Sequence, residues 1–266
     1  MACIAGWQRD LSVVLQNLGD MAQFSGDMAQ AHANWQKSLE ITEALAARDP
    51  TNVTWQIDLV ICYQTVAKGL EYLGDSSQAL AALKKSQKIA KALVAYDPND
   101  NARLAALAEA CHSLGRKEID YGDLDSALVT LQDCVKLCEK QVERNPADAY
   151  WKTTLIHSYE STGVILRDQG NQSGAVELYL KGAQLVEAMV AQEQYNVANL
   201  ISLCFFHAEL ARGLFSMPDE SRAQLTKARR IVLLLESYDD LSQIHSKYKN
   251  TCKEQIDKLE RLLDSK

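Results

Sequence analysis

The sequence predicts an all-α solenoid of five helical hairpins followed by a C-terminal capping helix, on three observations. The 266 residues include only 12 glycines and 4 prolines, about half the combined share of an average protein, whereas sheets with many tight turns need more of both. Apolar residues recur every three or four positions, which is the helical period. The chain also matches itself at an offset of 48 residues without an insertion, and such self-similarity is typical of repeat architectures.

The repeat is carried by columns of like residues that lie 48 positions apart. A leucine column comes first, then a column of small residues, then a turn glycine and an alanine. Their members are Leu11, Leu59, Leu107, Leu155 and Leu203; Gly19, Ala67, Gly115, Gly163 and Ala211; Gly26, Gly74, Gly122 and Gly170, with Pro218 breaking the set; and Ala31, Ala79, Ala127, Ala175 and Ala223.

Each unit is predicted to be a helix A, a short turn and a helix B. The turn glycine ends helix A, because glycine tolerates the left-handed conformation, and the residue after it can cap helix B. Asp-Pro or Asn-Pro pairs end helix B in the first three units. The expected caps are Asp27, Asp75, Asp123, Asn171 and Asp219 for helix B and Asn52, Asp100, Asp148 and Asn196 for helix A. In the second unit this predicts helices near 53–73 and 76–96, each about 30 Å long.

The domain prediction is five repeats over residues 1–238, at about 5–50, 51–98, 99–146, 147–194 and 195–238, and a capping helix over 239–266. The tail is amphipathic, with one apolar stripe made of Leu241, Ile244, Tyr248, Cys252, Ile256, Leu259 and Leu263. A terminal repeat needs such a cap with a polar outer face. The front end shows no equivalent, so we expect Ile4 and Trp7 to be covered by a partner or, in preference, by a preceding part of a longer chain.

Composition and charge limit the classes of partner and the cellular compartment that we expect for the protein. A formal net charge of -7 argues against binding to a phosphate backbone. Seven cysteines at scattered spacings suit a reducing compartment. No apolar run is long enough to span a bilayer, and the first residues lack the features of a signal peptide. We therefore expect a cytoplasmic protein without a membrane partner.

Cysteine and histidine pairs are the candidate chemical groups. Cys134 and Cys138 share a helix face and would supply half of a metal site, but Cys134 occupies the small-residue position of Ser38 and Ser86. Cys111 with His112 and Cys204 with His207 suggest a nucleophile and a base. Neighbours on a helix point about 100° apart, however, and no oxyanion site is evident. Phosphate-binding loops, zinc signatures and nucleophile elbows are also lacking, so we predict no enzyme, no metal and no cofactor.

These landmarks resemble the tetratricopeptide repeat (TPR) family, whose repeat is normally about 34 residues long, with a small residue, a turn glycine, an alanine on helix B and a closing proline. Gly19, Gly26 and Ala31 keep the family's spacing, whereas the gaps to Pro50 and then to Ala67 are each seven residues longer. Both helices would thus gain about two turns. The chain is similar to long-repeat arrays in bacterial multidomain signalling proteins, which implies a right-handed solenoid.

The resemblance also implies that helix A lines a concave groove for an extended peptide or a partner helix. Carried over to this chain, that pattern marks Gln16, Asp20, Gln23, Gln64, Lys68, Glu71, His112, Arg116, Glu160, Arg167 and Arg212. Four of them, Lys68, Arg116, Arg167 and Arg212, would form a broken basic ladder suited to acidic side chains or a terminal carboxylate. The competing interpretation is an ordinary solvated face.

The predicted function is a non-catalytic scaffold or regulatory module that binds a protein or peptide segment. If the basic ladder takes part in binding, that segment is expected to be acidic. The alternative is a sensor or regulatory arm of a larger signalling or protease complex. A nucleic-acid-binding helical repeat is a third class. The negative net charge and the lack of an aromatic stacking series on the groove face argue against it.

Overall fold

The computed structural model describes the backbone of residues 2–193, 196–238 and 243–265 and the side chains of 4–193, 196–238 and 245–265. Throughout these ranges the regular elements are α-helices, which confirms the all-α prediction. They are α1 (Ala2–Phe24), α2 (Met28–Arg48), α3 (Val53–Tyr72), α4 (Ser76–Tyr96), α5 (Asn101–Asp120), α6 (Leu124–Arg144), α7 (Ala149–Asp168), α8 (Gln172–Gln192), α9 (Val197–Gly213), α10 (Pro218–Glu236) and α11 (Gln243–Asp264).

The chain divides into two compact units, Met1–Leu137 and Cys138–Lys266. In the first unit the successive pairs from α1 with α2 to α4 with α5 pack together, and α3 also contacts α5. In the second unit α7 to α10 pack in the same sequential way. Packing between neighbours along the chain is the pattern of a helical-repeat stack, so the predicted solenoid class is confirmed.

Helix α11 packs against both α9 and α10 at the end of the second unit. Its Cys252, Ile256, Leu259 and Leu263 are buried in a cluster with residues of α9 and α10. Two predicted members of the stripe, Leu241 and the side chain of Ile244, lie outside the described residues. Tyr248, also expected in the stripe, is instead largely exposed, so the first stripe residue that is buried among the described ones is Cys252.

The turn from helix A to helix B is built as predicted in the first four hairpins. Gly26 has a φ of 85°, and the glycines at 74, 122 and 170 repeat this value closely. The amide of Asp27 then bonds the carbonyl of Ala22, and the amide of Gly26 bonds that of Gln23, which satisfies the last carbonyls of α1. The Asp27 carboxylate caps α2 by accepting from the amide of Gln30 at 3.0 Å.

The fifth turn departs from this pattern, and the expected cap at Asp219 is wrong. Helix α10 begins at Pro218, and its N-cap residue, Met217, makes no side-chain capping bond. Proline fits the first helical position because its missing N–H would have no helical partner there. Asp219 therefore lies inside the first turn, where its carboxylate favours the helix through the helix dipole.

The caps predicted for helix A are confirmed in all four places. Asn52 accepts from the amide of Trp55, and Asp100 accepts from that of Arg103. Asp148 and Asn196 cap α7 and α9 in the same way. Since these four residues are 48 positions apart, the helix starts recur with the period of the sequence.

The column of small residues lets the two helices of a hairpin approach closely. A Cβ atom added at Gly19 would lie 2.3 Å from the indole Nε1 of Trp35, and one at Gly163 would lie 2.3 Å from Cε1 of Tyr179. Opposite Ala67, in contrast, the chain carries Leu83, and both belong to one buried cluster. The largest rings thus face glycine, as the close-packing prediction requires.

A second column of small residues, on helix B, joins helix B to helix A of the same hairpin by hydrogen bonds. Ser38 Oγ donates to the carbonyl of Ser12 at 2.9 Å, and Ser86 Oγ donates to that of Val60 at 3.0 Å. Cys134 takes the same position, with its thiol 3.5 Å from the carbonyl of Ala108. The prediction that Cys134 packs as a small core residue is thereby confirmed.

Candidate functional site

The exposed surface of α3 and α5 is the candidate binding surface of the first unit, and we call it the A face. It comprises Ile61, Lys68 and Tyr72 on α3 and Glu109, Arg116 and Asp120 on α5, all exposed. Within each helix these residues are four or seven positions apart, so they share one side. Because α3 contacts α5, the two rows lie next to each other.

Lys68 and Arg116 hold equivalent positions on these adjacent helices, 48 residues apart. Neither forms an ion pair within the part of the chain that the structure describes. Both side chains are exposed, so their charges remain available to an acidic group from another molecule. Of the four residues of the predicted ladder, these two are exposed and without an ion pair among the described residues, and their role in binding stays a prediction.

Several other predicted binding residues bond to neighbouring helices instead. Gln16 Nε2 donates to Thr65 Oγ1 at 2.8 Å, and Gln64 Oε1 accepts from Ser113 Oγ at 3.5 Å. Glu71 forms an ion pair with the buried Lys117. Each of these three contacts joins one A helix to the next, so these side chains hold the stack together and are only partly exposed.

Of the remaining predicted residues of the first unit, Asp20 and Gln23 are more exposed than these three. Asp20 accepts a hydrogen bond from the indole Nε1 of Trp35 at 3.0 Å, and Gln23 is exposed near the end of α1. His112 is half-buried on α5. These contacts do not test the role of the three side chains in binding, which stays a prediction.

In the second unit the two remaining arginines of the ladder meet one buried carboxylate. Arg167 Nη1 lies 2.6 Å from Oε2 of Glu209, and Arg212 Nη2 lies 3.7 Å from Oε1 of the same side chain. Glu209 is only 1% exposed. Since Arg167 also contacts Asp168, its charge is already balanced within the protein. Glu160, the other predicted residue here, contacts His157 at 3.2 Å.

Glu209 was not predicted as a site residue, although the equivalent residues of the other units could have indicated it. The equivalent positions carry Thr65, Ser113 and Ser161, so a carboxylate there breaks a run of small polar residues. Arg167 likewise stands in the column of Glu71, and Val164, not Arg167, is the equivalent of Lys68. When two residues of opposite charge both differ from the equivalent residues of the other units, they indicate an ion pair inside the protein.

The cysteines considered as nucleophiles or metal ligands are buried. Burial raises the pKa of the Cys111 thiol to about 12, and a hydrogen bond to Cys252 together with burial raises the pKa of Cys204. The thiolate is the nucleophilic form, so neither thiol is activated at neutral pH. Across the described residues no group of three or more metal-ligating side chains comes together.

His207, the histidine weighed above as a base for Cys204, is enclosed in the second unit. Its Nδ1 lies 2.8 Å from Oε1 of Gln224, its Nε2 lies 3.5 Å from Oε1 of Glu187, and Lys227 is also near. Burial is the main cause that lowers the pKa of this imidazole below its ordinary value of 6.5. The folded state therefore binds the proton more weakly than the unfolded chain does.

This shift predicts a loss of stability on acidification. The contribution of His207 is complete above pH 6.5 and is lost as the pH falls below that value towards the folded-state pKa. We expect the urea midpoint to fall less steeply between about pH 7 and pH 5 in His207→Gln than in the wild type. His157→Gln, at a half-exposed histidine of the same unit, is the control. Equal slopes for wild type and His207→Gln would contradict the prediction.

Comparison with solved structures identifies the fold. The chain is similar to BtubC (BKLC) from P. vanneervenii, at 15% identity and a TM-score of 0.64 over 89% of this chain and 85% of that one. It is also similar to a Podosopora anserina protein with nearly identical TPR-like repeats, at 19% identity and a TM-score of 0.58 over 87% and 98% of the two chains. The chain has a TPR-like fold.

The chain is also similar to a third structure, the apo form of RapI. It is 14% identical to this chain, covers 97% of it with 85% of its own length, and has a TM-score of 0.56. No family model and no curated protein matches the sequence. None of the described helices has the length and hydropathy that crossing a membrane requires.

Proposed function

We propose that this TPR-like chain is a non-catalytic interaction module that binds a protein or peptide segment on the A face. The observation that carries the proposal is the pair of exposed cations at equivalent positions, Lys68 and Arg116, on helices that contact each other. The TPR-like fold and the resemblance of the repeat columns support a role in protein interaction. Glutamate or aspartate side chains, or a terminal carboxylate, are the ligand groups that such cations bind.

The ligand segment is expected to combine acidic and apolar residues. Lys68 lies between the exposed Ile61 and Tyr72 on α3, seven and four residues away. An aromatic ring and an aliphatic side chain beside a cation provide contact area as well as charge. Because Arg167 and Arg212 are paired with Glu209, we place the charge-dependent part of binding in the first unit alone.

Charge reversal at the two cations tests this assignment. Peptides selected by the wild-type chain from a displayed library should bind the Lys68→Glu/Arg116→Glu variant at least about tenfold more weakly, a loss of about 1.4 kcal/mol. The reason is that two favourable charge contacts become repulsive. Affinity is measured by fluorescence anisotropy, and circular dichroism checks that the helices persist.

A matched control has the same spacing on the other helices. Lys88 on α4 and Lys136 on α6 are exposed and also lie 48 residues apart, so Lys88→Glu/Lys136→Glu makes the same change in net charge. This control should leave the affinity unchanged. If the A-face variant binds as the wild type does, or if both variants lose affinity equally, the A face is not the binding surface.

A further inference from the structure

Helix α1 carries a long uncovered apolar stripe. Its side chains point to one side at alternating intervals of three and four residues, and each is exposed, from 46% at Leu18 to 74% at Trp7. The stripe consists of Ile4, Trp7, Leu11, Val14, Leu18 and Met21. It spans about 26 Å of helix. Spacing of this kind is the seam along which two helices pack in a coiled coil.

The repeat shows that this face is built to be covered by a helix. In the next unit the equivalents of Leu11, Val14 and Leu18 are Leu59, Cys62 and Val66, and all three are buried. The covering element there is α2, which packs against α3. One contact of that interface joins Cys62 to Thr42 on α2 at 3.5 Å. The stripe on α1 therefore continues an interface that the fold already uses.

The chemistry of the α1 face nevertheless differs from that of the internal faces. On α3, Tyr63 donates to Glu43 of the preceding helix at 2.5 Å, and on α7, Tyr159 donates to Glu139 at 2.7 Å. The equivalent position on α1 is Leu15. Helices α2 and α6 bring a carboxylate to that point, and α4 brings Lys91, whereas α1 offers the covering helix only an aliphatic side chain. The α1 face thus suits a covering helix without an acid there.

The borders of the stripe carry little charge, although the whole chain has a net charge of -7. Five of the six flanking positions are uncharged, and Asp10 is the exception; the flanking residues are Gln8, Asp10, Leu15, Asn17, Ala22 and Phe24. Like charges would oppose the pairing of two identical helices, and here they are almost missing. The surface is therefore compatible with a copy of itself.

We propose that α1 is the interface of a symmetric dimer, in which the stripes of two copies of this chain pack against each other. An antiparallel arrangement centred between Leu11 and Val14 brings Trp7 of each copy to Leu18 of the other. Such a two-fold contact buries the same patch on both subunits. It removes the six exposed apolar side chains of each copy from water, and contiguous exposed apolar residues mark interaction sites.

Sedimentation velocity of the full chain over a range of concentrations tests the dimer. The wild type should sediment at about twice the mass of the 29.6 kDa chain, and the Leu11→Glu/Leu18→Glu variant should sediment as a monomer. Leu180→Glu/Leu233→Glu, at exposed leucines of α8 and α10, is the control and should remain dimeric. A monomeric wild type, as expected if another molecule or segment covers α1, overturns the proposal, and so does a dimeric α1 variant.

A second measurement avoids charged substitutions, in case the double variant disturbs α1. A Val14→Cys variant should give a covalent dimer with a short bis-maleimide, because position 14 lies near the proposed two-fold axis. Leu233→Cys has the same number of thiols and should remain a single chain on a denaturing gel. Equal cross-linking of the two variants overturns the proposal.

Discussion

Replacement of Glu209 by alanine should lower the free energy of unfolding by about 3 kcal/mol, the lower end of the range for breaking a buried ion pair. The carboxylate is 1% exposed and lies between Arg167 and Arg212. Its loss leaves the half-buried Arg167 guanidinium with only the surface residue Asp168 as a counter-charge. Urea denaturation followed by circular dichroism measures the change.

Two further variants separate charge from packing and from general surface effects. Glu209→Gln keeps the size of the side chain but not its charge, so most of the loss should remain. Arg222→Ala breaks an ion pair in the same unit, 2.8 Å from Nη1 to Asp264 Oδ1, in which both partners are exposed. That pair should contribute less than about 1 kcal/mol. A Glu209→Gln variant as stable as the wild type would show that the two arginines do not depend on this carboxylate.

The helix boundaries could be predicted from the sequence because each depends on one or two residues. Gly74 ends α3 with a φ of 79°, and Asp75 caps α4, as the Gly-Asp pair indicates. The rules for these positions are local, so tertiary packing does not change them. At Pro218 the same reasoning failed, since proline at the first helical position replaces the cap altogether.

The roles of the polar residues on helix A could not be predicted in the same way. Gln16 and Lys68 were both assigned to the binding face, yet Gln16 bonds Thr65 of the next A helix and Lys68 is exposed. Which of two polar side chains reaches the neighbouring helix depends on the angle between the helices. That angle is set by packing, and the 48-residue columns do not contain it.

The exposed apolar stripe of α1 could likewise be predicted from the sequence only in part. The sequence indicated that Ile4 and Trp7 need a cover, since a terminal hairpin exposes one face. The structure extends that face along the whole helix to Met21. In the column of Leu11, Leu59, Leu155 and Leu203 are buried and Leu107 is partly buried. The column alone would therefore have placed Leu11 in a core.

Gly163→Ala should lower the free energy of unfolding by about 2 kcal/mol, because an added methyl group overpacks a rigid core. Its Cβ would lie 2.3 Å from Cε1 of Tyr179, and the ring cannot withdraw. Tyr179 is 0% exposed, and its ring centroid is 6.0 Å from that of Phe205 and 6.3 Å from that of Phe206. Helix propensity acts in the opposite direction, since alanine is favoured over glycine by about 1 kcal/mol.

Gly6→Ala isolates that propensity, because a Cβ at this exposed position of α1 would meet nothing within 4 Å. It should raise the free energy of unfolding, so the two glycine variants are expected to shift the urea midpoint in opposite directions.

The second repeat suggests a rescue of Gly163→Ala, since it sets Leu83 opposite Ala67. Tyr179→Leu should therefore cost less in the Gly163→Ala background than in the wild type, and a double-mutant cycle measures the difference. If the two changes were additive, or if Gly163→Ala were as stable as the wild type, contact between this glycine column and the facing rings would not set the spacing of the paired helices.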